Sequence, residues 1–372
     1  MRVLELLSSP VWTGPAEPMA SVARELARRG HRVEVAVDSR RSGDLRDRLR
    51  SAGLSVRGDL VLSTRSGPLA FLADARRLRN LRGEFDVLHA NFSHDHGIAL
   101  LAWRGRRRGR VVRTVHSARS LEPRLLQGTA HRRSDGLVAV CEAHARVLRE
   151  RFRVPEERVV AVRGAVDLSG LAPEGPDLRE ELEIPAGAPV AGIVSRVKPD
   201  RRHADLVDAF RRVADRIPEA RLLVVGRGEG LDALRARVAG LGLDRQVVFA
   251  GYRTGPGLAA AYRTLDVKVL LAEGNDGTCR ALLEAMACGR PAVAYRFGAP
   301  GETVLDGVTG LLVETGDIGG LASSLLEILG APARARAMGA AARERVAALH
   351  TEAARGEAVE RFLLEILRLP PA

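Results

Sequence analysis

Two doubly wound α/β/α domains, each built on a parallel sheet, are the fold that this chain of 372 residues predicts. Three observations carry the expectation. Short apolar runs alternate with helical patterns along the first half. The alternation lapses in a stretch rich in Pro, Gly and Glu, and then it restarts with the same rhythm. Strand–helix alternation of this kind covers both faces of a sheet with helices, which makes its strands parallel. The length is enough for two domains of ordinary size, each with its own core.

In chain order, the first half offers strands at Val3–Leu7, Arg32–Val37, Asp86–Ala90, Val111–Val115, Gly136–Val140 and Val159–Val162. Each is a brief run of β-branched and aliphatic residues bounded by turn or helix signals. Helices fall between them, such as Ala16–Arg29, which Gly30 ends. Residues 169–188 read as a linker with one short helix. Strands resume at Val190–Val194, Arg221–Val225, Gln246–Ala250, Val267–Leu271, Ala292–Tyr295 and Gly310–Val313. The expected partition is therefore a domain over 1–168, a linker over 169–188, a second domain over 189–350 and a terminal amphipathic helix over 351–372. Ligands of such folds bind at the carboxyl ends of the strands, here in a cleft between facing domains.

The chain carries 58 basic against 46 acidic residues, and its only lysines are Lys198 and Lys268. Basicity favours anionic partners: nucleotide phosphates, an anionic membrane surface or nucleic acid. Aromatic residues at 3% offer few stacking platforms, which argues against single-stranded nucleic acid. Cys141, Cys279 and Cys288 fit no zinc spacing and are expected as free thiols in a reducing cytosol. The opening MRVLELL lacks the pattern of a leader, and no apolar stretch approaches a membrane span. A cytoplasmic protein, peripheral on the inner face of the membrane, is the expected setting. The basic run Trp103–Arg110, WRGRRRGR, reads by default as a solvated loop, with electrostatic contact to anionic lipid or a lipid-linked acceptor as its functional alternative.

The most informative segment is Asp276–Pro291, DGTCRALLEAMACGRP. It follows the strand Val267–Leu271 and the turn signal Glu273-Gly274-Asn275, so a helix opens near Thr278 and is stopped by Gly289 and Pro291. A helix that opens just after a strand presents backbone N–H groups suited to phosphate or sugar hydroxyls. Three of the four helical neighbours of Glu284 are small, so chain or ligand packs closely there. An N-cap for Asp276 and an ion pair of Glu284 with Arg280 are the competing structural roles.

On these residues the chain resembles the family 4 retaining glycosyltransferases, which have the GT-B fold and the pattern E-x7-E within EGFG-LEAMACG-P. Asp276 stands where the first acid stands, and Glu284 where the second does. The DGT-C-RA variant resembles members that build bacterial surface polysaccharide. The resemblance implies transfer of a sugar from a nucleotide-diphosphate donor to an acceptor hydroxyl. The acceptor would be a glycan, a glycolipid or a lipid-linked molecule. Anomeric configuration would be retained, no metal ion or other cofactor is obligatory, and the donor's own phosphate takes the acceptor proton. Nucleic acid is not among the implied partners. In the resembled fold the last helix crosses back onto the first domain.

The same resemblance assigns the remaining site. Arg196 and Arg201, in SRVKPDRRH, match the loop GRL-x-PEKG and would hold the donor diphosphate. Glu284 would accept from the ribose hydroxyls, while Asp276 and the N–H groups of Gly277, Thr278 and Cys279 would hold the sugar. Gly226, read from its place at the end of the strand Arg221–Val225 and not from the resemblance, would either let the nucleotide approach the backbone or form an ordinary turn. His116 matches the histidine of the family's T-x-H segment, facing donor phosphate and acceptor. Gly14 remains of the family's two-glycine loop, although Pro15 beside it lacks an N–H. His94 and Asp95, in NFSHDH, line the acceptor side, and no metal site is expected from them. The rival functions are a nucleotide-sugar epimerase of the same fold and a non-catalytic nucleotide-sugar-binding protein.

Overall fold

The computed structural model describes residues 1–372 except Ser66, Arg104, Arg106, Arg107, Arg124, Leu125, Gly274 and Asn275, and except the side chains of Asp276, Gly277 and Thr278. The chain divides into two compact units, Met1–Ala165 with Glu352–Ala372, and Val166–Gly274 with Thr278–Thr351. Both have Rossmann-like architecture, a parallel sheet covered by helices.

The first unit holds a seven-stranded sheet of β1 (Arg2–Leu7), β2 (Arg32–Val37), β3 (Ser55–Arg57), β4 (Val87–Ala90), β5 (Arg110–Val115), β6 (Gly136–Ala139) and β7 (Val159–Ala161). The spatial order is β3-β2-β1-β4-β5-β6-β7, and every neighbouring pair is parallel. Alternation along β1 sends Val3 and Leu7 to one layer, with Met19, Ala23 and Leu26. It sends Leu4 and Leu6 to the other, with Leu78 and Ile98. Between Val3 and Leu7 that first face carries Glu5, fully buried. The one strand not expected from the sequence is β3, three residues at the sheet edge.

The terminal helix Glu352–Arg368 completes this unit. It lies on the helix Ala16–Arg28 so closely that a Cβ at Gly356 would stand 2.3 Å from the Cβ of Glu25. Arg24 pairs with Glu352 at 2.9 Å, and Glu360 accepts from Arg29 at 3.1 Å. Phe362 and Ile366 reach Gly136 on β6. Described members of the basic run Trp103–Arg110 are partly structural. Trp103 is buried and donates Nε1–H to the Leu78 carbonyl, while Arg110 donates to the carbonyls of Ile366, Leu367 and Leu369. Arg104, Arg106 and Arg107 lie outside the described residues.

The second unit holds six strands, β8 (Val190–Val194), β9 (Arg221–Val225), β10 (Val247–Gly251), β11 (Val267–Leu270), β12 (Ala292–Tyr295) and β13 (Gly310–Val313). Their order, β10-β9-β8-β11-β12-β13, is again parallel throughout. Residues 169–188, expected as a linker with a helix, form turns packed on this unit. Leu178, Ile184 and Ala188 join the core beneath β8 and β9. The Arg263 guanidinium donates to the carbonyls of Gly170, Ala172 and Pro176, and Leu178 N–H donates to Thr264 Oγ1 at 2.9 Å. The reason is backbone satisfaction: a segment without helix or strand finds its partners in one arginine and one threonine.

Gly356→Val should wedge the terminal helix away from residues 16–28. A lower Tm is expected, with faster hydrogen exchange confined to 16–28 and 352–368. Unchanged exchange there would refute the packing role.

Candidate functional site

Each sheet reverses its winding once. In the first unit the switch lies between β1 and β4, and in the second between β8 and β11. Loops leaving the carboxyl ends diverge at such a point and leave a crevice.

At the second switch point Ser195–His203 follows β8 and the helix Asp276–Ala287 follows β11, so both leave the carboxyl ends of the two strands that flank it. The β8 loop is braced against the β9 loop. Val197 N–H donates to the Arg227 carbonyl at 3.1 Å, and Gly230 N–H to the Val197 carbonyl at 3.1 Å. Gly226 has φ +147°, and a Cβ there would stand 1.9 Å from the Ser195 carbonyl oxygen. Loop packing therefore requires this glycine, whether or not a nucleotide approaches it. Arg196 is exposed, and Arg201 is half-buried with its guanidinium 3.9 Å from Asp200. Lys198 pairs with Glu229 at 3.0 Å.

Glu284 sits two turns into the helix with its side chain 14% exposed. Tyr262 OH donates to Oε2 at 2.7 Å, and Arg280 Nε stands 3.4 Å from Oε1. The ion pair with Arg280 is thus real, and Tyr262 adds a second anchor. Burial, then the Glu284 charge, pushes the Tyr262 hydroxyl well above its ordinary range, so it stays a donor. Cys279 is buried in the first turn of the same helix. The side chains of Asp276, Gly277 and Thr278 lie outside the described residues.

Two titratable groups under this site were not singled out by the sequence reading. Lys268, on β11, is fully buried and donates Nζ–H to the Val269 carbonyl at 2.8 Å. Burial brings it down to about 7, against an upward pull from Glu284. His203 is buried with Nε2 3.3 Å from Ser195 Oγ, and burial, helped by Lys268 and Arg201, lowers it to about 4. Tyr252, 60% exposed after β10, lies under the Arg227 guanidinium at 4.6 Å and offers a flat face for stacking. An isolated lysine inside an apolar strand was the available signal for the first. Nothing in the sequence marked Tyr252.

In the first unit the carboxyl ends of β4 and β5 bring Asn91 and His116 together. His116 is buried, with Nε2 3.0 Å from Asn91 Oδ1. Gly14 stands in the turn closed by Ala16 N–H to the Thr13 carbonyl, and space beside it is open. His94 is partly buried edge-on to Phe71, and burial lowers its pKa. Asp95 is placed differently from expectation. It is fully buried, and its Oδ2 accepts from the N–H groups of Ser8 and Phe92 at 3.1 Å. It is a loop-tying helix cap, so it cannot meet an acceptor directly. His94, Asp95 and His96 also point apart, since His96 turns to Ser134. Among the described residues no group of three His, Cys, Asp or Glu side chains is placed to hold a metal ion.

Comparison with known proteins agrees with the fold. The family profile described as glycosyl transferases group 1 matches residues 175–345, and that of glycosyltransferase family 4 matches 14–169. A GDP-mannose-dependent alpha-(1-6)-phosphatidylinositol monomannoside mannosyltransferase of Mycolicibacterium smegmatis is 32% identical over 72% of this chain and 74% of that protein. A D-inositol 3-phosphate glycosyltransferase of the same organism is 28% identical over 88% of this chain and 83% of its own length. Among solved structures, Anabaena HepE in complex with UDP superposes with TM-score 0.83 at 21% identity, over 98% of this chain and all of its own. A Rickettsia africae glycosyltransferase gives 0.82 at 17% identity, over 99% of both.

Lys268→Met should raise Tm at pH 7, because a buried ammonium is replaced by an apolar chain of similar length. The unfolded chain keeps the lysine proton up to the ordinary value near 10.4, whereas the folded chain releases it from about 7. This group therefore makes stability climb with pH from about 7 upward and adds no slope below it. The substitution should flatten that climb in urea titrations between about pH 7 and 10, and an unchanged slope would remove Lys268 as its source.

Proposed function

From the premise that the chain belongs to the group 1 glycosyltransferases of family 4 and is a sugar transferase of GT-B fold, we propose that it moves a sugar from a UDP- or GDP-sugar to a polyol or glycolipid hydroxyl with retention. The observation that carries this reading is the crevice of the second unit. There a two-arginine loop and the first turn of a helix share one switch point with an anchored carboxylate. In this reading Arg196 and Arg201 stabilise the leaving diphosphate, and helix N–H groups with Asp276 hold the sugar. Glu284 accepts from the ribose hydroxyls. Such charge-assisted bonds contribute roughly 1.5–3 kcal/mol each. The face of Tyr252 meets the base. His116 is read as a contact of the acceptor hydroxyl, and the donor phosphate takes the hydroxyl proton, so a metal ion has no required part. The inositol-directed names of the two relatives support a polyol or glycolipid acceptor.

The helix Pro68–Asn80 is the surface we assign to an anionic membrane. Leu69 and Leu72 are 84% and 54% exposed, and Arg76 and Arg79 continue the same face. Its one acid, Asp74, turns inward to the N–H groups of Val61 and Leu62. Exposed leucines beside arginines, on a helix whose one acid turns inward, complement anionic headgroups. No helix among the described residues is long and apolar enough to cross a membrane. Leu69→Asp with Leu72→Asp should cut sedimentation with vesicles containing phosphatidylserine by about tenfold. Equal binding would discard this surface.

A thermal-shift panel of UDP, GDP, ADP and their sugar conjugates, with and without a chelator, tests the donor assignment. One nucleotide should raise Tm independently of the chelator. Tyr262→Phe should weaken that nucleotide by about three- to tenfold through loss of the bond to Glu284, and Glu284→Ala by about 2 kcal/mol or more. No shift with any nucleotide would overturn the donor site. Undiminished affinity in both variants would move the ribose contact elsewhere.

A further inference from the structure

The loop after β8 turns on a residue under backbone strain. Pro199–Arg201 makes one 3-10 turn, His203–Ala214 is a helix, and Arg202 joins them with φ 55° and ψ 37°, the left-handed conformation. A residue with a Cβ seldom adopts it, and it persists only where the surroundings over-determine it. In the pattern GRL-x-PEKG the position after Arg201 is a glycine, for which this conformation carries no steric cost. Here it is arginine.

Three contacts hold the arginine in place. Its Nη1 donates to Asp205 Oδ2 at 3.1 Å, and its guanidinium lies over the Tyr295 ring, 5.8 Å from the centroid. Tyr295 OH donates to the same Asp205 oxygen at 2.9 Å. Tyr295 ends β12 and is fully buried. Burial, then the bond to Asp205, pushes its hydroxyl up to about 12, so it stays a donor at neutral pH. The sheet thus fixes the ring, the ring fixes the carboxylate on the first turn of the helix, and both fix the guanidinium. Backbone bonds close the turn itself, from Arg201 N–H to the Lys198 carbonyl at 3.0 Å and from Arg202 N–H to the Pro199 carbonyl at 3.1 Å.

We propose that Tyr295 and Asp205 are positioning residues for the diphosphate loop: through the Arg202 side chain they hold the left-handed turn that sets where Arg201 leaves the backbone. The inference rests on the donor reading of Arg196 and Arg201. The helix that follows is anchored in the core by Leu206, Val207 and Phe210. Any change of φ or ψ at Arg202 therefore displaces the residues before it, Arg201 first. A cation already in place stabilises a phosphate without reorganising, and a small displacement forfeits that advantage.

Calorimetric titration of the full chain with UDP against UMP, and with GDP against GMP, tests this. Tyr295→Phe keeps the ring and removes only the bond to Asp205. In the nucleotide pair that binds, the ratio of monophosphate Kd to diphosphate Kd should shrink by about three- to tenfold, and Asp205→Ala should act alike. Arg202→Ala keeps a Cβ and loses the brace, so its ratio should shrink most. Arg202→Gly should lie between Arg202→Ala and wild type, with a Tm about 2–4 °C above that of Arg202→Ala. A ratio unchanged in Tyr295→Phe would overturn the positioning role even if Tm fell, since a purely structural brace moves Tm alone. So would an Arg202→Gly variant no better than Arg202→Ala in both readouts. Failure of both diphosphates to bind the wild-type chain would instead overturn the donor reading, and the positioning role would fall with it.

Discussion

A parallel sheet covered on both faces constrains where this protein can keep polar groups. Its strand interiors are closed to water, so functional side chains must lie at the carboxyl ends, and crevices form only where the winding reverses. In the first unit that point separates β1 from β4, and there Asn91 and His116 meet. In the second it separates β8 from β11, and there the arginine loop adjoins the helix that bears Glu284. The glycine at 226 belongs to the same constraint. The β8 loop can run beside the β9 loop only because no Cβ stands between Ser195 and Gly226.

Ionisable groups do penetrate the sheets, and each is matched to a local solution. Glu5 is met by His89 Nδ1 and Asn91 Nδ2. Asp95 is raised to about 6 by burial even though two backbone N–H groups hold its carboxylate. Lys268 has a carbonyl and the distant charge of Glu284. The slopes oppose one another. Asp95 makes stability fall as pH rises from the ordinary carboxyl range toward 6, whereas Lys268 makes it climb above 7. Burial of a charge with few partners is destabilising, so these groups are better explained by what they position than by what they hold together.

Much of the fold was legible because the strands are short runs of Val, Leu and Ile with little ambiguity of period. β3 was not, since Ser-Val-Arg at an edge is half polar and too brief to show alternation. Residues 169–188 looked like a linker because they lack periodicity. What binds them to the second unit is the fork of Arg263, some ninety positions away, which no local pattern announces. Asp95 shows the limit at the site. In sequence it stands beside His94 and His96 and invites a ligand role, but successive residues of a helix point in different directions, and only the fold reveals that Asp95 caps it. Tyr262 was equally hidden: it precedes Glu284 by more than twenty residues and meets it only across two packed helices.

The two crevices share one physical device. In each, a side chain proposed to meet substrate is held from behind by a neutral donor or acceptor: Tyr262 OH for Glu284, and the Asn91 amide for His116. A neutral brace fixes geometry without cancelling charge. An arginine or carboxylate in the same place would bind more strongly and would leave less to offer. Arg280 approaches Glu284 at 3.4 Å on the other oxygen, and its side chain is the more exposed of the two. Of these two partners the buried one is neutral, and the one nearer solvent is charged. That division lets a rigid parallel sheet present groups that are both fixed in place and chemically available.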